Sequence, residues 1–515
     1  MSTETRKDFP KPGSAEEISA FKSLQDSFRW QFENIFPGKL VPKTVIVVPS
    51  LTLDQEILEK VDGVVHYEER LLCLLMLLRM PHTQIIYVTS VPVDPVIIDY
   101  YLHLLPGITG HHALQRLHLM SCYDASRRPL TTKILERPRL LERIRKCIPQ
   151  NQAAHIACFN VTPQERTLAV KLNAPIFGCD PDFLVYGTKS GSREVFRECG
   201  IEVPPGYENL RSVQDIEKSL RELKKEFPNL KKAVVKMNDG FGGEGNALFT
   251  YEDPRYTGGW KNLQEGRLVD RLEPVAKELS VELFLEKFSL MGGIVEAYLE
   301  GEVKKSPSVQ CRINPLGVSE VISTHDQVFD DTNNQIFTGA EFPASADYAY
   351  DISIQAKKIS EALQRKGVLG RFAIDFISVL EGDHWKHYAI EINLRKGGTT
   401  HPYLMMQFLT DGAYDPASGI FHTANGQARY YFASDNLKQP HYRGLTPQDL
   451  MDISFDNELM YDGSTQEGVI FHLLSALSQY GKLGVVCVGS SPERARAYYK
   501  RTVDVLDSVG LQLHS

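Results

Sequence analysis

The sequence is poor in the features of secreted, membrane and metal-scaffold proteins. Cysteine is sparse, eight in 515 residues, with no CxxC pair, which excludes a zinc ribbon and a disulfide framework. Several of the eight sit in apolar strings such as Val485-Val486-Cys487-Val488, the setting of free buried thiols in a cytoplasmic protein. Long hydrophobic runs are missing. Leu71–Leu78 spans only eight residues between Glu68, Glu69, Arg70 and Arg79, against the ~20 that cross a bilayer, so it reads as a core helix. The stretch MSTETRKDFPKPG has no apolar h-region, and no secretory signal is expected. Positive charge is also in deficit: Lys and Arg number 57 against 65 Asp and Glu, a net charge of −8. That balance argues against a general nucleic-acid surface; any anionic ligand must be held by local groups. Arg127–Lys146 does carry eight basic and two acidic residues. Leu140, Leu141, Ile144 and Ile148 mark an apolar face there, so an amphipathic, solvated helix is expected. No fixed-period repeat or low-complexity segment interrupts the chain. Its 42% apolar and 24% charged residues are ordinary for globular domains, and at about 150 residues per domain the length suggests about three.

The patterning divides the chain. Residues 1–40 read as a polar lead and a helical extension, with Phe21, Leu24, Phe28, Phe32 and Ile35 at helical spacing. Lys43–Pro49, Gln84–Thr89, Leu117–Met120 and His155–Phe159 are short apolar runs alternating with helical patterns. They predict a parallel α/β sheet within 41–185. A second unit starts near Tyr186. It contains a helix at Ser192–Gly200, another marked by Val213, Ile216, Leu220, Leu223 and Phe227, and strands at Ala233–Met237 and Ala247–Tyr251. Between 280 and 400 strands dominate, at 281–286, 294–299, 307–313, 317–323, 371–379 and 386–393, with one helix at Ile352–Lys366. The tail reads as helix 468–480, strand Leu483–Val488 and helix Pro492–Val509.

Two constellations carry chemistry. In Lys236-Met-Asn-Asp-Gly240-Phe-Gly242-Gly243-Glu-Gly245, glycines free backbone N–H groups to face an anion, and a lysine precedes them on a strand. A strand pattern follows, not a helix, so the loop is a hairpin flap and not a dinucleotide fingerprint. The lysine stands before the glycines, opposite to the kinase order. GxxxxGK[ST], GxSxG and HExxH motifs are absent. The second constellation is Phe372-Ala-Ile-Asp375 followed, across a turn, by Glu391-Ile-Asn393-Leu-Arg395. Glu391, Asn393 and Arg395 alternate onto one face. Carboxylates in apolar strands need partners, and a hard divalent cation or an ion pair with Arg395 would serve. His384 and His387 flank the turn and read as surface residues.

These blocks, with Tyr186-Gly-Thr-Lys189 before them and Phe284-Leu-Glu286-Lys287-Phe288 between them, resemble the ATP-grasp superfamily of carboxylate–amine ligases. Glu296-Ala-Tyr-Leu-Glu-Gly301, Ser323-Thr-His325-Asp326-Gln327 and Lys396-Gly-Gly-Thr-Thr-His401 narrow the resemblance to its pre-ATP-grasp, pheganomycin-type peptide ligase group. The resemblance implies a multidomain α/β and α+β chain. Its parts are an N-terminal extension (1–40), a Rossmann-like pre-ATP-grasp domain (41–185), a two-lobed grasp core (186–265 and 266–410) and a small α/β C-terminal domain (411–515). It implies ATP contacts from Lys189, Lys236, Gly240, Gly242, Gly243 and Gly245. Adenine would lie on a hinge strand at Glu286, Lys287 and Phe288, and ribose at Glu296. Mg²⁺, or Mn²⁺ in its place, would be held by Asp375, Glu391 and Asn393. Lys236 and Arg395 would act in catalysis, and Arg312, His325 and Asp326 would bind substrate. The implied reaction is amide-bond formation between a small-molecule acid and an amine, an amino acid or peptide, through an acyl phosphate, with release of ADP and phosphate. Homodimers are frequent in the family; nucleic acid and membrane are not expected partners. A kinase acting on a hydroxyl and a non-catalytic ATP-binding regulator are the alternatives.

Overall fold

The computed structural model describes residues 9–150, 152–240, 245–253, 269–276, 279–329 and 337–513, except 53–61. Gly242, Gly243, Asp330 and Asp331 therefore lie outside the described residues.

Four strands form the first sheet: β1 (Lys43–Val48), β2 (Thr83–Thr89), β3 (Leu117–Ser121) and β4 (Ala153–Cys158). All pair in parallel, in the order β3-β2-β1-β4. Every residue of β1 and β4 is buried. Their unbroken apolar character follows, because a parallel sheet is covered on both faces. One cover is the helix Ala15–Asn34, whose Phe21 and Phe28 are inserted in the core. Its Gln25 side chain donates to the Ile176 carbonyl (3.0 Å) and accepts from the Ile176 amide (2.8 Å). The other cover is the 3₁₀ helix Val64–Arg79, in which Leu71–Leu78 is almost wholly buried. The basic stretch holds the helix Pro138–Cys147, with Leu140, Leu141 and Ile144 facing inward.

A five-stranded sheet follows, in the order β5 (Gly206–Leu210), β9 (Gly293–Ala297), β6 (Lys232–Met237), β7 (Asn246–Thr250), β8 (Leu272–Pro274). β8 and β9 belong to this first lobe. The pairing of this sheet therefore runs past residue 266, the expected start of the second lobe. The segment expected as strand 281–286 is the helix Val281–Met291. Ser280 caps it by accepting from the Leu283 amide (3.2 Å). Phe284 and Phe288, one turn apart, are fully buried, and Gly292 ends it at φ +72°. Tertiary burial of that i, i+4 pair outweighs the local alternation.

The third sheet has nine strands. β10 (Lys304–Lys305), β14 (Gly370–Glu381), β11 (Pro307–Ile313), β12 (Ser319–Phe329) and β13 (Phe337–Phe342) come first, with β15 (His384–Asn393) also on β14. A separate two-stranded ribbon is formed by β16 (Ala413–Asp415) and β17 (Ile420–His422). The large sheet then continues through β18 (Tyr430–Lys438) and β20 (Lys482–Gly489) to β19 (Gly468–His472). The C-terminal residues thus extend the second lobe's sheet, and the strip expected as helix 468–480 begins as β19. Val469, Ile470 and Phe471 pair with Cys487, Val486 and Val485, and all six are fully buried. Residues of this C-terminal part share one hydrophobic core with the helix 64–79 and the parallel sheet. The N-terminal and C-terminal portions therefore brace each other.

Candidate active site

Between the five- and nine-stranded sheets lies a cavity of about 840 Å³. The first lobe contributes Lys236, the last residue but one of β6. Its ammonium is 2.5 Å from Oε1 of Glu296 on β9, while Arg193 donates to Oε2 of Glu296 at 2.9 Å. Glu296 is 2% exposed, so one buried carboxylate orients two buried cations. At the flap, Gly240 and Gly245 cross closely: a Cβ on either would meet the other's Cα at 3.3 Å.

Lys189 opens the helix Lys189–Glu198, capped by Thr188. Gly191 in its first turn is required there, because a Cβ would lie 2.0 Å from the Val185 carbonyl. The turn is fastened to the flap stem by Asn238, a residue the motif reading passed over. Its Oδ1 accepts from the Ser190 amide (3.0 Å) and hydroxyl (2.7 Å), and its carbonyl accepts from the Lys189 amide (3.1 Å). The Lys189 ammonium pairs with Glu391. Burial, reinforced by the Lys236 charge, lowers its pKa to about 8.

The second lobe supplies the carboxylates. Asp375 on β14 stands opposite Glu391 on β15, with a bulge immediately beyond the pair. Such bulges re-aim side chains beside active sites. Asn393 Nδ2 lies 2.9 Å from Asp375 Oδ2 and 3.0 Å from Glu391 Oε1, and Gln327 donates to Asp375 Oδ1 at 3.2 Å. Burial pushes the Asp375 carboxyl up. Among the described residues no three His, Cys, Asp or Glu side chains cluster as a metal group. Two carboxylates converging on one amide nonetheless form an oxygen-rich set that suits a hard divalent cation, with the Asn393 amide turned to present its oxygen. Arg395 lies just beyond β15 on the cavity wall, its pKa lowered to about 10 by burial. The loop after it is pinned to the parallel sheet, Lys396 donating through its amide to the Phe159 carbonyl (3.1 Å) and through its ammonium to that of Cys158.

The remaining expectations divide. Asp326 lines the cavity, accepting from the Tyr348 hydroxyl (2.6 Å) and the Ser345 amide (2.9 Å). His325, its neighbour on β12, points the opposite way into an aromatic core. It contacts the Tyr431 hydroxyl at 2.6 Å, and burial lowers its pKa to about 3. Strand alternation therefore excludes His325 from the site. Arg312 sits toward the far end of β11, engaged with Glu320 at 2.5 Å, and is not a cavity residue. Glu286, Lys287 and Phe288 lie on the helix Val281–Met291 and do not line the cavity. The stretch from the end of β9 does line it, through Ala297, Tyr298 and Leu299. His384 is exposed as expected, but His387 is buried and bonded to the Ser378 hydroxyl (2.7 Å).

A family model described as IQCH-like, ATP-grasp matches residues 183–254 and 272–417, and one described as PGM1 C-terminal domain matches 449–502. L-propargylglycine–L-glutamate ligase of Streptantibioticus cattleyicolor is 30% identical over 465 residues, covering 88% of this chain and 92% of that protein. IQ motif-containing protein H of Danio rerio is 22% identical over 444 residues, covering 77% of this chain and 41% of that one. Among solved structures, biotin carboxylase from Campylobacter jejuni, in an ATP-analogue complex, superposes with a TM-score of 0.54 at 14% identity, covering 89% of this chain and 90% of its own. N5-carboxyaminoimidazole ribonucleotide synthetase, in an ADP complex, gives 0.50 at 12%, covering 91% and 97%. Two lobes facing each other across paired lysines and carboxylates, together with these relatives, place the chain in the ATP-grasp family of ligases. It is an ATP-dependent ligase. No helix among the described residues is long and apolar enough to cross a membrane.

Proposed function

We propose that this ligase joins two amino-acid substrates by way of an acyl phosphate, with MgATP bound between the two sheets. The observation that carries this is the convergence of Asp375, Glu391 and Asn393 with Lys189, Lys236 and Arg395 in one cavity. A carboxylate attacking a triphosphate needs its repulsion screened, and the three cations supply that in a site of low dielectric. Asp375, Glu391 and Asn393 would hold magnesium, with manganese as a substitute, and the ion would supply positive charge to neutralise the triphosphate. The adenine would sit against Val234, Leu299 and Ile390, apolar residues that line the cavity. The substrate carboxylate attacks the γ-phosphorus and the bond to the β-bridging oxygen breaks, giving acyl phosphate and ADP. The neutral amine then attacks the acyl carbon, the carbon–oxygen bond to phosphate breaks, and the amine proton passes to solvent. Arg395 would hold the transferred phosphoryl group through both steps, and the flap would shield it from water. The name of the Streptantibioticus relative, specifying two amino acids, supports amino acids as both partners. The eight free cysteines support a cytoplasmic location.

The test is a screen of amino-acid pairs for ADP and phosphate release, with mass spectrometry of the products. A dipeptide-like amide with ADP is expected. AMP and pyrophosphate would overturn the acyl-phosphate route, ADP release needing only an alcohol would show a kinase, and MgATP binding without turnover would show a regulator.

A further inference from the structure

Part of the cavity lining comes from outside the motif residues. Arg70, from the helix Val64–Arg79, reaches across to Asp435 on β18 and forms an ion pair with it. The two side chains are 8% and 14% exposed, and both line the cavity. They are 365 positions apart in the chain. The Arg70 guanidinium stacks on the Tyr67 ring at 4.1 Å, with Phe159 at 5.8 Å. The Tyr67 hydroxyl accepts from Lys482 at 2.6 Å. The helical carbonyl of Arg70 is itself held, 2.9 Å from Nδ1 of the buried His401.

A nearly buried ion pair contributes little to stability compared with apolar side chains of equal volume, because both partners are desolvated. This one stands on a cavity wall, where a guanidinium fixed on an aromatic face presents its donor fork to a planar anion. Arg70 is close enough for its charge to act on Arg395, the residue placed at the transferred phosphoryl group. The loop after Arg395 is fixed, since Lys396 is bonded to the Phe159 carbonyl.

We propose that Arg70 and Asp435 form the binding site for the amine-bearing substrate, an α-amino acid with a free carboxylate. The carboxylate replaces Asp435 on the Arg70 fork, and the released Asp435 accepts a hydrogen bond from the substrate's amino group. The amino acid thereby exchanges an internal ion pair for an ion pair at its carboxylate and a hydrogen bond at its neutral amine, whose lone pair stays free to attack. Specificity would come from the N-terminal and C-terminal portions of the chain, which explains why their shared core is continuous. The inference rests on the cavity being the ligase active site.

The full-length chain, with Arg70→Met and Asp435→Asn variants, tests this. All twenty proteinogenic L-amino acids are screened pairwise for ADP release, and the best pair is carried forward. Arg70→Met is expected to raise KM for one member of the pair about 10- to 100-fold, the range of a charge-assisted hydrogen bond, with KM for ATP within about twofold. The α-carboxamide of that amino acid should be a poor substrate for the wild type yet equal to the free acid for Arg70→Met. Asp435→Asn should raise KM for the same member. Unchanged amino-acid KM values, or a carboxamide penalty that survives in Arg70→Met, would overturn the proposal. So would an equal rise in all three KM values. If the Arg70 variant does not fold, as read by loss of the MgATP-induced rise in Tm, Asp435→Asn and the wild-type carboxamide comparison decide it. If no pair releases ADP although MgATP binds, the reading of the active site fails first, and this proposal with it.

Discussion

Replacing Lys236 with methionine separates a binding role from a folding role within one cluster of buried charge. Glu296 has two oxygens and two partners, Lys236 at 2.5 Å and Arg193 at 2.9 Å. Lys236→Met leaves Glu296 paired with Arg193, so no charge is orphaned and the fold should lose only about 1.5–3 kcal/mol, the scale of a hydrogen bond to a charged group. Glu296→Gln is different. It strands Lys236, whose side chain is 9% exposed, without its counter-charge, and leaves the buried Arg193 only the Glu208 carboxylate at 3.3 Å. Breaking a buried pair from one side costs about 3–5 kcal/mol. Nucleotide affinity should follow the reverse order. Lys236→Met removes the flap-stem cation and should weaken ATP binding by about 1.5–3 kcal/mol, roughly 10- to 100-fold in Kd. Glu296→Gln keeps the cation and should change Kd much less. Urea denaturation and calorimetric titration with a non-hydrolysable ATP analogue on both variants provide the two readouts. The reasoning is refuted if Lys236→Met unfolds the protein as readily as Glu296→Gln does while leaving nucleotide affinity intact.

Four further outcomes are expected. Glu391→Gln should abolish ADP release and the magnesium dependence of nucleotide binding while its circular dichroism stays that of the wild type; undiminished ADP release would remove the metal assignment. His325→Ala leaves the Tyr431 hydroxyl buried without its 2.6 Å partner, so it should cost about 1–3 kcal/mol and leave KM values alone. Arg312→Ala should cost less than about 1 kcal/mol, since that pair is half-exposed and screened, and a raised substrate KM in either variant would return it to the site. Burial pushes the Glu69 carboxyl from an ordinary 4.5 up to about 7. A carboxyl raised on folding favours its protonated form in the native state. Its stabilising contribution is therefore full below about pH 4.5 and lost as pH rises through about 7. Glu69→Gln should be more stabilising, relative to wild type, at pH 8 than at pH 5 in urea midpoints; equal differences at both would contradict the burial argument.

The parallel sheet was legible because its strands β1 and β4 are buried throughout, which makes them mostly apolar runs. The carboxylate strands were legible because alternation put Glu391 and Asn393 on one face, although the bulge that sets Asp375 opposite Glu391 has no signature in the sequence. Two segments misled. Val281–Met291 alternates like a strand, yet the Ser280 cap and the Phe284/Phe288 spacing were helical signals. Gly468–His472 opens a pattern compatible with either period, and its pairing with β20 decided it. Alternation also gives the reason His325 and Asp326 could not both belong to the site. The Arg70–Asp435 pair was out of reach, because nothing local in either segment points to the other. The acidic net charge of −8 remains consistent with triphosphate binding, since Lys189, Lys236 and Arg395 all line one cavity, where acidic side chains pair with the two lysines.

The most direct test of the central claim is isotopic. The amino-acid pair that supports ADP release is supplied with ¹⁸O in the reacting carboxylate, and the released phosphate is analysed by mass spectrometry. An acyl phosphate requires one ¹⁸O to appear in that phosphate, with ADP as the only nucleotide product. Unlabelled phosphate, or label found in AMP with pyrophosphate released, would contradict the account.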